Sequence, residues 1–183
     1  VPDGGPITAR YVALRFAPHN WLMVSEIKVY SSGENVALGA EYYARPLPTA
    51  ESDTHHADDG RMLVDGHVTG GLVIGDVCGW MGVDAPSVTI DLGREQDLRE
   101  ITVHALGGGL YGALLPGKVL VDLPSDHDDY VEVAAAVAVD PGDDTCRNLP
   151  ITIPLPDGSA GRHVRVRFEA IQGWLLLSEI EVR

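Results

Sequence analysis

Residues 10–30 read RYVALRFAPHNWLMVSEIKVY, and residues 162–183 read RHVRVRFEAIQGWLLLSEIEVR. One chain carries nearly the same segment near both of its ends. Aligning Arg10 with Arg162 keeps register through Phe16 and Phe168. One inserted residue then aligns Trp21 with Trp174, and Ser25-Glu26-Ile27 with Ser178-Glu179-Ile180. Each copy alternates apolar and polar residues, turns, presents a Trp and alternates again, which is the pattern of a β-hairpin. A lone hairpin is marginal in water, so the first copy must pack on something. It can join the sandwich of this domain, or it can be the tail of a preceding domain of the same kind. The second placement leaves an apolar hairpin without its sheet, so packing within one compact unit is expected. Equal positions in a repeat imply equal packing, and Trp21 and Trp174 therefore read as structural.

The remaining apolar segments are short and alternating as well. SVTIDLG, EITVHAL, KVLVDL, YVEVAAAV and LPITIPL are rich in Val, Ile and Thr, as a half-buried pleated surface requires. No stretch keeps a helical period. Many short strands separated by Gly and Pro predict an all-β fold, an antiparallel β-sandwich of jelly-roll type. Residues 44–61, 66–86 and 107–117 carry no strand pattern and are expected to be long loops. Loops of that length on a β scaffold tend to bind.

At 183 residues the chain is long enough for one domain with a real core. Residues 1–34 read as an amino-terminal hairpin extension and residues 35–183 as the body of the module. The VPDGGP start has neither a basic nor an apolar leader and reads as a linker, so the chain is expected to be a piece of a longer secreted protein. No apolar run approaches the length of a membrane span. A net charge of −14 repels phosphate backbones and anionic lipid heads, which argues against nucleic acid and membrane insertion and leaves neutral ligands and hard cations. Cys78 and Cys146 match no metal-site spacing. An even count in a secreted chain reads as one disulfide closing a long loop, with two buried thiols as the alternative.

The interior motifs fall in a definite order. NVALGAEYYA at 35–44 precedes LVDGHVTGG at 63–71 and Trp80. SVTIDLG at 87–93, LREITVHAL at 98–106, KVLVDLPSDHDDYVEVA at 118–134 and the GRHVRVRFEA…LSEIEV ending follow. Over roughly residues 35–183 this order resembles the discoidin, or coagulation-factor (F5/8) type C, domain. The likeness is greatest to the galactose-binding-like, lectin-like family 32 carbohydrate-binding modules. His163 stands where an aromatic often opens the penultimate strand, Tyr130 stands where Trp is common, and the 70–80 loop is long. The extra hairpin copies the domain's own closing one.

The resemblance implies a structural calcium ion in the loop around Asp65-Gly66, closed by a Glu from the last strand. Carried over, Asp65 gives a carboxylate, Met62 and His67 give backbone oxygens, Thr69 gives its hydroxyl and carbonyl, and Glu179 closes the site. Calcium takes six to eight oxygens, many from backbone, so a loop suits it. The bland alternative is an Asx turn at Asp65 with a solvated Glu179. Glu26 is the equivalent of Glu179 in the first copy, but no second Asp-Gly loop accompanies it.

A sugar site needs an aromatic platform and a few fixed donors and acceptors. The loop candidates are Tyr42, Tyr43, Arg45, His55, His56, Trp80 and Tyr111, each of which could also serve packing alone. Catalysis has little to recommend it. Asp58-Asp59 and Asp128-Asp129 are adjacent and point apart, so neither forms an acid/base pair. His55-His56 with Asp58 lacks a metal spacing, and no nucleophile or phosphate-loop motif is present. The expected function is that of a non-catalytic module binding oligo- or polysaccharide on loops at one end of the sandwich, attached to a secreted carbohydrate-active enzyme. A protein- or surface-adhesion module working through Leu114 and Leu115, or a spacer packed on a catalytic domain, is the alternative.

Overall fold

The computed structural model describes residues 7–16, 21–48, 56–69, 76–83, 85–107, 114–124, 130–137, 147–156, 163–169 and 173–183. Its strands are β1 (Ile7–Phe16), β2 (Trp21–Ser31), β3 (Glu34–Asn35), β4 (Glu41–Arg45), β5 (Cys78–Met81), β6 (Ser87–Leu98), β7 (Glu100–Gly107), β8 (Lys118–Pro124), β9 (Tyr130–Val137), β10 (Arg147–Pro154), β11 (His163–Glu169) and β12 (Trp174–Val182). A short 3-10 turn spans Met62–Val64. The fold is an all-β sandwich. One sheet runs β4-β6-β1-β11-β8-β9. The other runs β10-β7-β12-β2-β3, with β5 also paired to β2.

The repeated segment holds the centre of both sheets. β1 lies parallel to β11 from Tyr11↔His163 to Phe16↔Phe168. β2 lies parallel to β12 from Trp21↔Trp174 to Val29↔Val182. The paired residues of the first copy therefore sit beside their own equivalents in the second. Phe16 stacks on Phe168 with ring centroids 4.9 Å apart.

Two expectations change here. The sheets are mixed rather than antiparallel throughout, because equivalent strands of two like-oriented copies run the same way. Nor are the copies hairpins. β1 and β2 belong to opposite sheets, as do β11 and β12, and each copy arches across the core. The reason lies in the alternation: both strands of a copy turn one face inward, and the two inward faces meet across the roughly 10 Å gap between sheets.

The inward residues of β2 are Leu22 and Val24, then Ile27 and Val29; those of β12 are Leu175 and Leu177, then Ile180 and Val182. An even spacing is broken once in each strand, at Ser25-Glu26 and at Ser178-Glu179. An extra residue at that point is a β-bulge, and the β12–β7 register shifts between Leu177 and Glu179. The bulge keeps both halves of each strand facing the core and turns Glu26 and Glu179 onto the outer face.

Three strands were hidden from sequence periodicity, the two-residue β3 among them. β4 lies where a loop was expected to begin, and β5 lies inside the Gly-rich stretch 66–86. CGWM is too short to show a period. It forms because Trp21↔Met81 to Val24↔Cys78 pairing lets Cys78 and Trp80 enter the core.

Candidate functional site

The outer face of the β2-containing sheet gathers the groups that could act on a ligand. At one end, Trp21 and Trp174 lie with ring centroids 5.6 Å apart and tilted by 31°. Both are half-buried, over a floor of Met23, Val77, Leu176 and Leu106. His56 meets the Trp21 ring edge-on at 5.4 Å. It packs on Gly79, where a Cβ would lie 2.9 Å from the His56 Cβ. The result is a surface of two partly exposed indoles braced by a buried imidazole, His56 being 6% exposed.

Midway along the same face, one in-register row crosses three strands: Glu26 on β2, Glu179 on β12 and His104 on β7. The loop of Asp65–Thr69 closes over Glu26. Gly66 N–H donates to Glu26 Oε1 at 3.0 Å, and Thr69 N–H donates to Ser25 Oγ at 2.9 Å. Ser25 Oγ donates in turn to the His67 carbonyl at 3.3 Å. Glu26 is fully buried, and its Oε2 has no hydrogen-bond partner among the described residues. Burial pushes its carboxyl up to about 8, and the neighbouring Asp65 and Glu179 add to the rise.

Of the calcium ligands implied by the resemblance, Asp65, His67 and Thr69 share this loop, and Met62 opens the 3-10 turn just before it. Asp65 is exposed, and its Oδ1 accepts from His67 N–H at 2.7 Å, an Asx turn. His67 Nε2 lies 3.5 Å from Asp76. Glu179 pairs with Lys28, Nζ to Oε1 at 2.7 Å. The carboxylate bonded to the loop is Glu26, from the first copy of the repeat.

The sugar-site candidates scatter. Trp80 lies in the core, 1% exposed, with Nε1–H donating to the Pro46 carbonyl at 2.8 Å and its ring stacked on Phe16. It has no ring face in solvent. Tyr42 is half-buried and donates its hydroxyl to Asp58 Oδ1 at 2.5 Å. Tyr43, 61% exposed, and Arg45 lie on the outer face of β4, at the edge of the opposite sheet. Of the described candidates only His56 meets the indole pair, and it is buried. His55, Tyr111 and Cys146 lie outside the described residues, and with them the Cys78–Cys146 pairing. Cys78 itself is buried, and burial beside Asp58 pushes its thiol up. Leu114 is exposed and donates its N–H to the Trp174 carbonyl at 2.9 Å, while Leu115 packs on the main core.

A cleft of about 580 Å³ opens at the other end of the molecule, lined by Tyr30, Ser32, Gly33, Asp97, Arg99 and Arg183. None of the residues singled out from sequence lines it.

Sequence reasoning therefore missed Trp21 and Trp174 as a surface, Glu26 as the partner of the loop, and His104 with Glu181. The signal for the first two was the repeat itself. Equal positions proved to be spatial neighbours, so a repeated Trp makes a pair and a repeated Glu makes a row. Comparison with protein-family models, curated proteins and solved structures finds no match to any of them.

Proposed function

We propose that this chain is a non-catalytic, discoidin-like carbohydrate-binding module that takes a glycan on the Trp21–Trp174 surface. The observation that carries the reading is the indole pair, partly exposed at one end of a β-sandwich and backed by apolar side chains. Pyranose rings present C–H faces that lie well on indoles, while hydroxyls at the rim need donors and acceptors. His56, buried against Gly79, holds the Trp21 ring in place from its edge. Glu26, whose carboxyl is the most displaced among the described acids, is sealed beneath Gly66 and out of reach of a substrate, which speaks against a catalytic acid. The module would be secreted and would serve an attached carbohydrate-active enzyme by raising the local concentration of substrate.

The calcium ion implied by the resemblance fits with one change. An orphaned, buried carboxylate oxygen on Glu26 beneath an Asp-Gly loop is what a hard cation would satisfy. Glu26 takes the part expected of Glu179, alongside Asp65, Thr69 and the Met62 and His67 carbonyls. The ion would order the loop beside the indole pair.

A glycan array probed with the folded protein in millimolar calcium tests the reading. Wild type should bind a family of related glycans, Trp174→Ala should lose them, and Leu114→Ala should keep them. A blank array from folded wild-type protein would overturn the carbohydrate reading. Binding to immobilised protein that is lost in Leu114→Ala would favour adhesion instead.

A further inference from the structure

His104, Glu179 and Glu181 each offer a ligand atom, and these atoms all lie within 4.8 Å of one another. All three project from the outer face of adjacent strands β7 and β12, where no loop is needed to bring them together. His104 Nε2 is buried and has no hydrogen-bond partner among the described residues. It faces Glu181 Oε1 at 3.7 Å. That is too long for a hydrogen bond. It is close to the separation of roughly 3.4 Å between two ligands of one tetrahedral ion with bonds of about 2.0–2.1 Å.

The carboxylates are held from behind. Arg183 binds Glu181 through Oε2 with both Nε and a terminal nitrogen, which leaves Oε1 turned toward the histidine. Lys28 fixes Glu179 at 2.7 Å. Such outer partners orient metal-binding carboxylates in known sites. A buried imidazole nitrogen without a proton donor or acceptor is costly, and an ion supplies the missing partner.

The geometry points to a divalent transition-metal site at His104, Glu179 and Glu181, of the zinc or manganese class. One nitrogen and two carboxylates suit these borderline ions better than calcium or magnesium, which prefer all-oxygen shells. Lys28 and Arg183 offset the charge of the two carboxylates, which weakens the site's attraction for a cation. The site shares no residue with the set built on Glu26, although Glu179 lies in register beside Glu26, and it does not depend on the carbohydrate reading.

Zinc chloride titrated into the full chain by calorimetry, in calcium-containing buffer, tests the assignment. One equivalent should bind to wild type. His104→Ala and Glu181→Gln should each weaken that binding by at least about tenfold, with the circular dichroism spectrum unchanged. Should either variant misfold, imidazole nitrogen NMR on wild type answers the question, because zinc should move the His104 Nε2 resonance to a metal-bound shift. No uptake by wild type, equal uptake by folded His104→Ala, or a His104 resonance that zinc leaves in place would overturn the site.

Discussion

Gly79 lies in a strand where one methyl group has nowhere to go. A Cβ there meets the His56 Cβ, the stiff root of a side chain rather than its mobile end. Gly79→Ala should destabilise the fold by about 1–3 kcal/mol, as overpacking does. It should also push His56 away from Trp21. A thermal melt and the His56 imidazole signals check both. Glu26 is the second decisive residue. If calcium binds its free oxygen, as proposed, a chelator should lower the melting temperature of wild type by several degrees and leave that of Glu26→Gln unmoved. Equal chelator effects on the two proteins would remove Glu26 from the ion's shell. From sequence alone Glu179 looked better placed, because the resemblance assigns the role to the closing strand. Nothing in a linear pattern shows that the equivalent glutamates sit side by side and that only one of them lies under the loop.

At the scale of elements, β11 and β8 are joined by a buried charge cluster. Asp122 is fully buried and accepts from Arg165 Nε at 2.7 Å and from Arg167 Nε at 2.6 Å and Nη2 at 2.9 Å. Arg165 lies over the Tyr130 ring, 4.0 Å from its centroid. Burial alone would raise the Asp122 carboxyl, but the bonds and charges of Arg167 and Arg165 hold it below its ordinary value. The folded state thus binds the proton more weakly than the unfolded chain. The stabilisation is present above the ordinary carboxylate range and is lost as pH falls through and below it. Asp122→Asn should cost about 3–5 kcal/mol near neutral pH, since it takes the shared carboxylate from Arg165 and Arg167 and leaves Arg167 only Glu169, at 2.7 Å, and Glu132, at 3.7 Å. It should also flatten the acid limb of the stability curve, which chemical denaturation at several pH values measures. The strands themselves were largely legible. SVTIDLG, EITVHAL and KVLVDL alternate cleanly, and each is a strand. β4 and β5 were not legible, since EYYAR sits among turn residues and CGWM is too short to show a period. The parallel pairing was unreadable too, because alternation reports which face is buried and not which neighbour lies alongside.

On the scale of the whole molecule, the amino-terminal copy is the spine of the sandwich rather than an extension of it. β1 separates β6 from β11, and β2 separates β12 from β3. A chain of residues 35–183 alone would lose a central strand from each sheet, including Leu14, Phe16, Leu22 and Ile27 from the core. It should therefore fail to fold, giving no dispersed amide NMR spectrum, while a well-dispersed spectrum would show that the body stands without the copy. The same arrangement places the indole pair. Two copies of one segment, laid in register, bring the Trp of each to the same end of one face. Three tryptophans make the most direct measurement possible. In a proton–nitrogen correlation spectrum, a bound glycan identified on the array should shift the indole N–H signals of Trp21 and Trp174 and leave that of Trp80, buried and bonded to Pro46, in place. A glycan that binds without moving either of the first two signals would contradict the assignment of this face as the binding surface.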